Sequence, residues 1–151
     1  MINVEGGIMK IKEAMTTDVE YLSEDSSLHE AAQCMLKHDC GFLPVSNKDK
    51  SKLLGVLTDR DITIRGVAKG LDPEKTCTRN IMSEDVWYCF SEDDISSAVD
   101  SMRNKGVYRL VVLDNREDKN LCGVISLGDI YRHNEKVAAS SAADEIMHQA
   151  A

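Results

Sequence analysis

No apolar run in this 151-residue chain exceeds a handful of residues, so no segment is built to cross a bilayer. An excess of base is missing too. Lys and Arg number 18 against 26 Asp and Glu, a net charge of −8, whereas a nucleic-acid phosphate backbone demands a basic face. The same balance disfavours an anionic membrane surface. The opening "MINVEGGIMK" has neither the basic nor the apolar region of a secretory signal, and the expected location is the cytoplasm. Five cysteines, an odd number with no C-x-x-C pair, exclude a disulfide framework in favour of reduced thiols. Cys34 and His38 lie one helical turn apart, with His29 close by. No carboxylate, second cysteine or oxyanion element joins them at a recognisable spacing, so they read as core filler rather than as a nucleophile or metal site.

What remains is the composition of an ordinary globular chain, 42% hydrophobic and 29% charged, with about 70% of its unfolded surface available for burial at this length. Only 134–151 drifts toward an Ala/Ser-rich, helix-prone tail.

The chain repeats itself. A shift of 67 residues lays Met15 on Met82, Asp18 on Asp85, Val19 on Val86, Ala31 on Ala98, Met35 on Met102, Leu43 on Leu110 and Val45 on Val112. After one inserted residue, Leu53, Gly55, Val56, Asp61 and Ile62 fall on Leu121, Gly123, Val124, Asp129 and Ile130. Two copies are too few for a solenoid, so the expected arrangement is two halves about an approximate two-fold axis.

Each copy has the rhythm strand, helix, strand, strand, helix. In the first, "VEYL" is a strand, and Ser27 with Glu30 forms a capping box that opens a helix. Leu28, Ala31, Ala32, Met35 and Leu36 follow the spacing of a core-facing stripe. In the second, Asp94 is the expected cap and Ile95, Ala98, Val99 and Met102 the stripe. The runs "GFLPV" and "KLLGVLT", and again "YRLVVLD" and "LCGVIS", predict hairpins. Second helices follow over about 59–69 and 127–136. The stretch "GLDPEKTCTRNIM" links the copies, with "IKEAM" as the matching lead into the first.

Both copies end their last strand on a hydroxyl residue and place an aspartate three positions on: "GVLTDRDI" with Thr58 and Asp61, "GVISLGDI" with Ser126 and Asp129. Two readings fit that spacing. In one, the hydroxyl caps the helix and the acid reaches back to the cap's amide. In the other, the strand-to-helix corner is an anion site, where the hydroxyl meets a phosphate oxygen and the carboxylate accepts from a ribose diol. Tyr21 and Tyr88 would then flank a base, or simply pack in their strands.

The two copies resemble a tandem pair of CBS domains, the cystathionine-beta-synthase type repeat whose pairs are called Bateman modules. The resemblance runs over roughly 10–134 and rests on "FLPV" with "GVLTDRDI" and "RLVV" with "GVISLGDI". It implies an α+β fold, with a first repeat at 10–70 after an extension at 1–9, a linker at 71–80, a second repeat at 81–134 and a tail at 135–151. It also implies adenosine-ligand sensing (AMP, ADP, ATP, NAD or S-adenosylmethionine) in clefts between the repeats, with Thr58 and Asp61 marking one site and Ser126 and Asp129 the other. No catalysis and no required cofactor are implied, and a homodimer acting on an unknown regulated protein is expected. Arg60 in "TDRD" and Arg109 before the second apolar strand are further ligand candidates, since arginine suits phosphate. Arg65, Lys69 and Arg132 read as surface. The second copy departs from the pattern: Val111 stands where Pro44 does, and "SLGD" lacks the arginine. A ligand-independent dimerisation module is the alternative. An enzyme would need a nucleophile with its base, a metal cluster or paired acids, none of which stands at a convincing spacing.

Overall fold

The computed structural model describes residues 8–49, 52–133 and 136–150. Most of the expected N-terminal extension (1–7), the tip of the first hairpin (50–51) and the junction between repeat and tail (134–135) lie outside them. The chain divides into two compact units that do not follow its order. Residues 20–86 form the first, while residues up to 19 join those from 87 onward in the second.

The first unit contains strand β1 (Leu22–Ser23), helix α2 (Leu28–His38), strands β2 (Phe42–Ser46) and β3 (Leu53–Thr58), and helix α3 (Asp59–Asp61). The second contains helix α1 (Ile11–Ala14), strand β4 (Tyr88–Phe90), helix α4 (Ile95–Lys105), strands β5 (Arg109–Leu113) and β6 (Leu121–Ser126), and helices α5 (Leu127–Arg132) and α6 (Lys136–Ala150). Each unit has one three-stranded sheet, β1-β2-β3 or β4-β5-β6, with a parallel then an antiparallel pairing. The registers are copies of one another. Phe42 faces Thr58 as Arg109 faces Ser126, and both ladders slip at the same place, after Val45 and after Val112.

Local chemistry explains the elements. Ser27 accepts from the Glu30 amide at 3.1 Å while Glu30 accepts from the Ser27 amide at 2.8 Å, closing the box that starts α2. Leu28, Ala31 and Met35 are buried with Leu43, Val45, Leu57 and Ile81. Ala32 and Leu36, expected in the same stripe, are exposed, Leu36 by 84%. The stripe in this unit is narrower than its spacing predicts, because none of the unit's described residues covers that flank. In α4 all four expected positions are buried. Asp94 does sit at the N-cap of α4, yet its side chain caps nothing. It accepts instead from Lys10 Nζ at 2.6 Å, and this bond, with nearby acids, raises the Lys10 pKa. Helices α2 and α4 each end on a left-handed residue, Asp39 in one and Gly106 in the other.

The expected helix at 59–69 changes pitch: α-helical over Asp59–Asp61, π-helical over Ile62–Gly66 and 3₁₀ over Val67–Lys69. The tail forms α6, whose Ala139, Ala142 and Ile146 are buried in the core of the second unit with Ile95, Ala98, Met102 and Ile130.

The lead-in stubs explain the unit boundaries. Thr16 exchanges backbone hydrogen bonds with Val124 at 2.9 and 3.0 Å, and Ser83 with Val56 at 2.9 Å each. Gly123 and Gly55 make these crossings possible, since a Cβ on either would stand 2.6 Å from the carbonyl oxygen of Thr16 or Ser83. Backbone is on the other side, so the clash cannot be relieved by a rotamer. Gly55→Ala and Gly123→Ala are each expected to lower the stability of the chain by about 2 kcal/mol, measured by urea unfolding with an unchanged m-value.

Candidate functional site

Each unit runs its last strand straight into a helix. With no loop between, the first helical N–H groups must find acceptors within the corner itself. Thr58 Oγ1 accepts from the Asp61 amide at 3.1 Å, and Asp61 Oδ2 accepts from the Thr58 amide at 3.0 Å. The second corner repeats this with Ser126 Oγ and the Asp129 amide at 3.1 Å, and Asp129 Oδ2 and the Ser126 amide at 2.9 Å. The corners are pinned to the residue that precedes the neighbouring strand, β2 or β5, by Asp59 N to Gly41 O and by Leu127 N to Tyr108 O, both 3.0 Å. The capping reading therefore accounts for the spacing, and the question becomes what each corner has left over.

The two differ there. In the first, the Thr58 hydroxyl hydrogen has no acceptor among the described residues. Asp61 keeps Oδ1, with Arg65 Nε the nearest cation at 3.7 Å. Arg60, one residue before the acid, is exposed and has no ion-pair partner among the described residues. In the second, the Ser126 hydroxyl donates to Asp129 Oδ2 at 2.8 Å and Arg132 pairs with Oδ1. Asp129 is 7% exposed and its carboxylate is engaged on both oxygens. Arg109 is the exposed arginine here, with no ion-pair partner among the described residues. It comes from β5, directly across the ladder from Ser126, where the first unit has Phe42.

Thr58, Arg60 and Asp61 thus share one corner, and Arg109, Ser126 and Asp129 the other. Arg65 and Arg132 are exposed, as expected of surface side chains, and each also faces the acid of its corner. Arg132 holds Asp129, and Arg65 donates to the carbonyls of Ile81 and Met82 at 3.1 and 3.2 Å while facing Asp61. Their distance in sequence from the acids, three and four residues on a helix, is the signal that could have revealed them. Tyr88 is 45% exposed and stands edge-on to Phe90; Tyr21 is half-buried.

Burial pushes the Cys89 pKa up to about 12 and raises those of Cys34 and Cys122, which keeps them protonated. Among the described residues no group of three His, Cys, Asp or Glu is placed to hold a metal ion, and no helix is long and apolar enough to cross a membrane.

Residues 11–65 and 79–136 match the CBS domain family. The chain belongs to it. Relatives include Hypoxic response protein 1 of Mycobacterium tuberculosis, 34% identical over 122 residues that make up 81% of this chain and 82% of that one. The CBS domain-containing protein YhcV of Bacillus subtilis is 33% identical over 92% of this chain and 96% of its own. The crystal structure of Hypoxic Response Protein I, with two coordinated zinc ions, covers 83% of this chain and 98% of its own with a TM-score of 0.73. The CBS domain pair of protein MJ0100, in complex with 5′-methylthioadenosine and S-adenosyl-L-methionine, covers 84% and 96% with a TM-score of 0.73. At 22% identity that likeness is one of fold.

The different engagement of the two acids has a measurable consequence. Asp129→Ala removes acceptors from an amide, a hydroxyl and a guanidinium at a buried position and is expected to cost about 2 kcal/mol. Asp61→Ala removes one side of a capping box and should cost about 1 kcal/mol. Urea unfolding of the two variants checks the order.

Proposed function

We propose that this CBS pair is a regulatory module that binds an adenosine-containing small molecule at its strand-to-helix corners. The carrying observation is the set of groups left in the first corner once the capping box is made: the hydroxyl hydrogen of Thr58 at the end of the strand, one carboxylate oxygen of Asp61, and Arg60, which has no ion-pair partner among the described residues. Thr58 and Arg60 supply donors to phosphate or carboxylate oxygens, and Asp61 supplies an acceptor for ribose hydroxyls. Arg109, opposite Ser126, provides the corresponding cation in the second corner, where Asp129 is less free to accept. The ligands of the MJ0100 pair support the adenosine class. The reading requires no resident cofactor and no chemistry on the ligand, and with a net charge of −8 it assigns neither nucleic acid nor an anionic membrane as partner. It places the protein in the cytoplasm, acting on a regulated protein.

Thermal unfolding of the purified protein with AMP, ADP, ATP, NAD, S-adenosylmethionine and 5′-methylthioadenosine tests it. A ligand at a hundred times its Kd adds about 2.7 kcal/mol to the folded state, so at least one compound should raise Tm by several degrees. Thr58→Val with Arg60→Ala should abolish most of the shift. No movement with any compound would overturn the proposal.

A further inference from the structure

Lone pairs separate the two corner acids. A carboxylate offers about four acceptor positions. Asp129 spends three of them within its own corner, on the Ser126 amide, the Ser126 hydroxyl and the Arg132 guanidinium. Asp61 spends one, on the Thr58 amide, with Arg65 Nε standing off at 3.7 Å. A vicinal diol that donates both its hydroxyls needs two. The first acid has them and the second does not. The side chains around each acid differ in the same sense. At matching positions of the two copies Phe42 becomes Arg109, Arg60 becomes Gly128 and Ile64 becomes Arg132. Gly128 leaves open the space into which the arginine folds: a Cβ there would stand 3.6 Å from Arg132 Nη1 and 3.5 Å from Ser126 Oγ. The Arg132 guanidinium therefore lies back over the first turn of α5, beside the Ser126 hydroxyl, while Arg109 stands opposite Ser126 in the ladder.

We propose that Arg132 sets the specificity of the second corner: by holding Asp129 it makes that corner blind to the ribose diol, so that the corner takes its ligand through a phosphate or carboxylate group and accepts ribose and 2′-deoxyribose alike. The inference rests on the functional reading above and deepens it. A diol could reach Asp129 only by displacing the donors already there. Neutral hydroxyls would then replace a guanidinium, and a charge-assisted hydrogen bond is roughly twice as strong as a neutral one. The exchange runs uphill. At Asp61 no such exchange is needed, because the spare acceptor positions are already free. The two corners of one chain therefore recognise different parts of an adenosine compound, the first its sugar and the second its anionic group.

The test is calorimetric titration with AMP and with 2′-deoxy-AMP, in full-length chains that carry Asp61→Ala so that the first corner no longer reads the diol. The Asp61→Ala chain should bind the two compounds equally. Adding Arg132→Met, which keeps an aliphatic side chain and removes the cation, should produce a preference of tenfold or more for AMP. Adding Asp129→Ala to that pair should erase it. Arg132 is exposed, and the double variant should melt as a folded protein. A double variant that binds both compounds equally, or neither, would overturn the proposal. So would an Asp61→Ala chain that already prefers AMP and loses the preference with Asp129→Ala. Failure of the functional reading is distinct from either result, since the unaltered chain then binds none of the adenosine compounds.

Discussion

A strand that becomes a helix without a loop leaves several backbone N–H groups with nowhere to bond, and the rest of each unit follows from how this chain meets that constraint. A hydroxyl at the last strand position and an aspartate three residues on satisfy two of them reciprocally, at 3.0 to 3.1 Å in one unit and 2.9 to 3.1 Å in the other. In the first unit the same two side chains that fix the corner keep part of their bonding capacity, the Thr58 hydroxyl hydrogen and Asp61 Oδ1.

How much is unspent separates the copies. Arg132 and the Ser126 hydroxyl saturate Asp129. Arg65 is drawn toward the Ile81 and Met82 carbonyls and leaves Asp61 less fully engaged. The position of Arg65, carried forward by the duplication, is His133, whose ring bonds the Asp129 carbonyl instead. Arg132, which pairs with Asp129, falls on Ile64 in the first unit, so two neighbouring differences between the repeats change what each acid can offer.

Much of this was legible in the chain itself. The duplication, the alternation of elements, the capping box at Ser27 and the corner residues all lie in local spacing, and local spacing is what the structure keeps. What local spacing omits is the identity of the neighbour. Ala32 and Leu36 fit the helical stripe, yet burial requires something on that flank, and the helix that supplies it in the other unit is contributed by residues beyond 135. Asp94 has the right type and place for a cap but meets Lys10, 84 residues away. Gly55 and Gly123 read as ordinary strand residues until the distant stub crosses over them. The contacts of Arg65 and Arg132 with the acids lie in local spacing too, four and three residues along.

The central claim is that a carboxylate held by its capping box still reads a ribose. Calorimetric titration of the tightest adenosine compound against its 2′-deoxy counterpart tests this most directly, because only the diol differs. An Asp61 that accepts from both hydroxyls predicts a loss of affinity of tenfold or more for the deoxy form. That penalty should disappear in Asp61→Ala. Equal affinity for the two compounds in the unaltered protein would contradict the account.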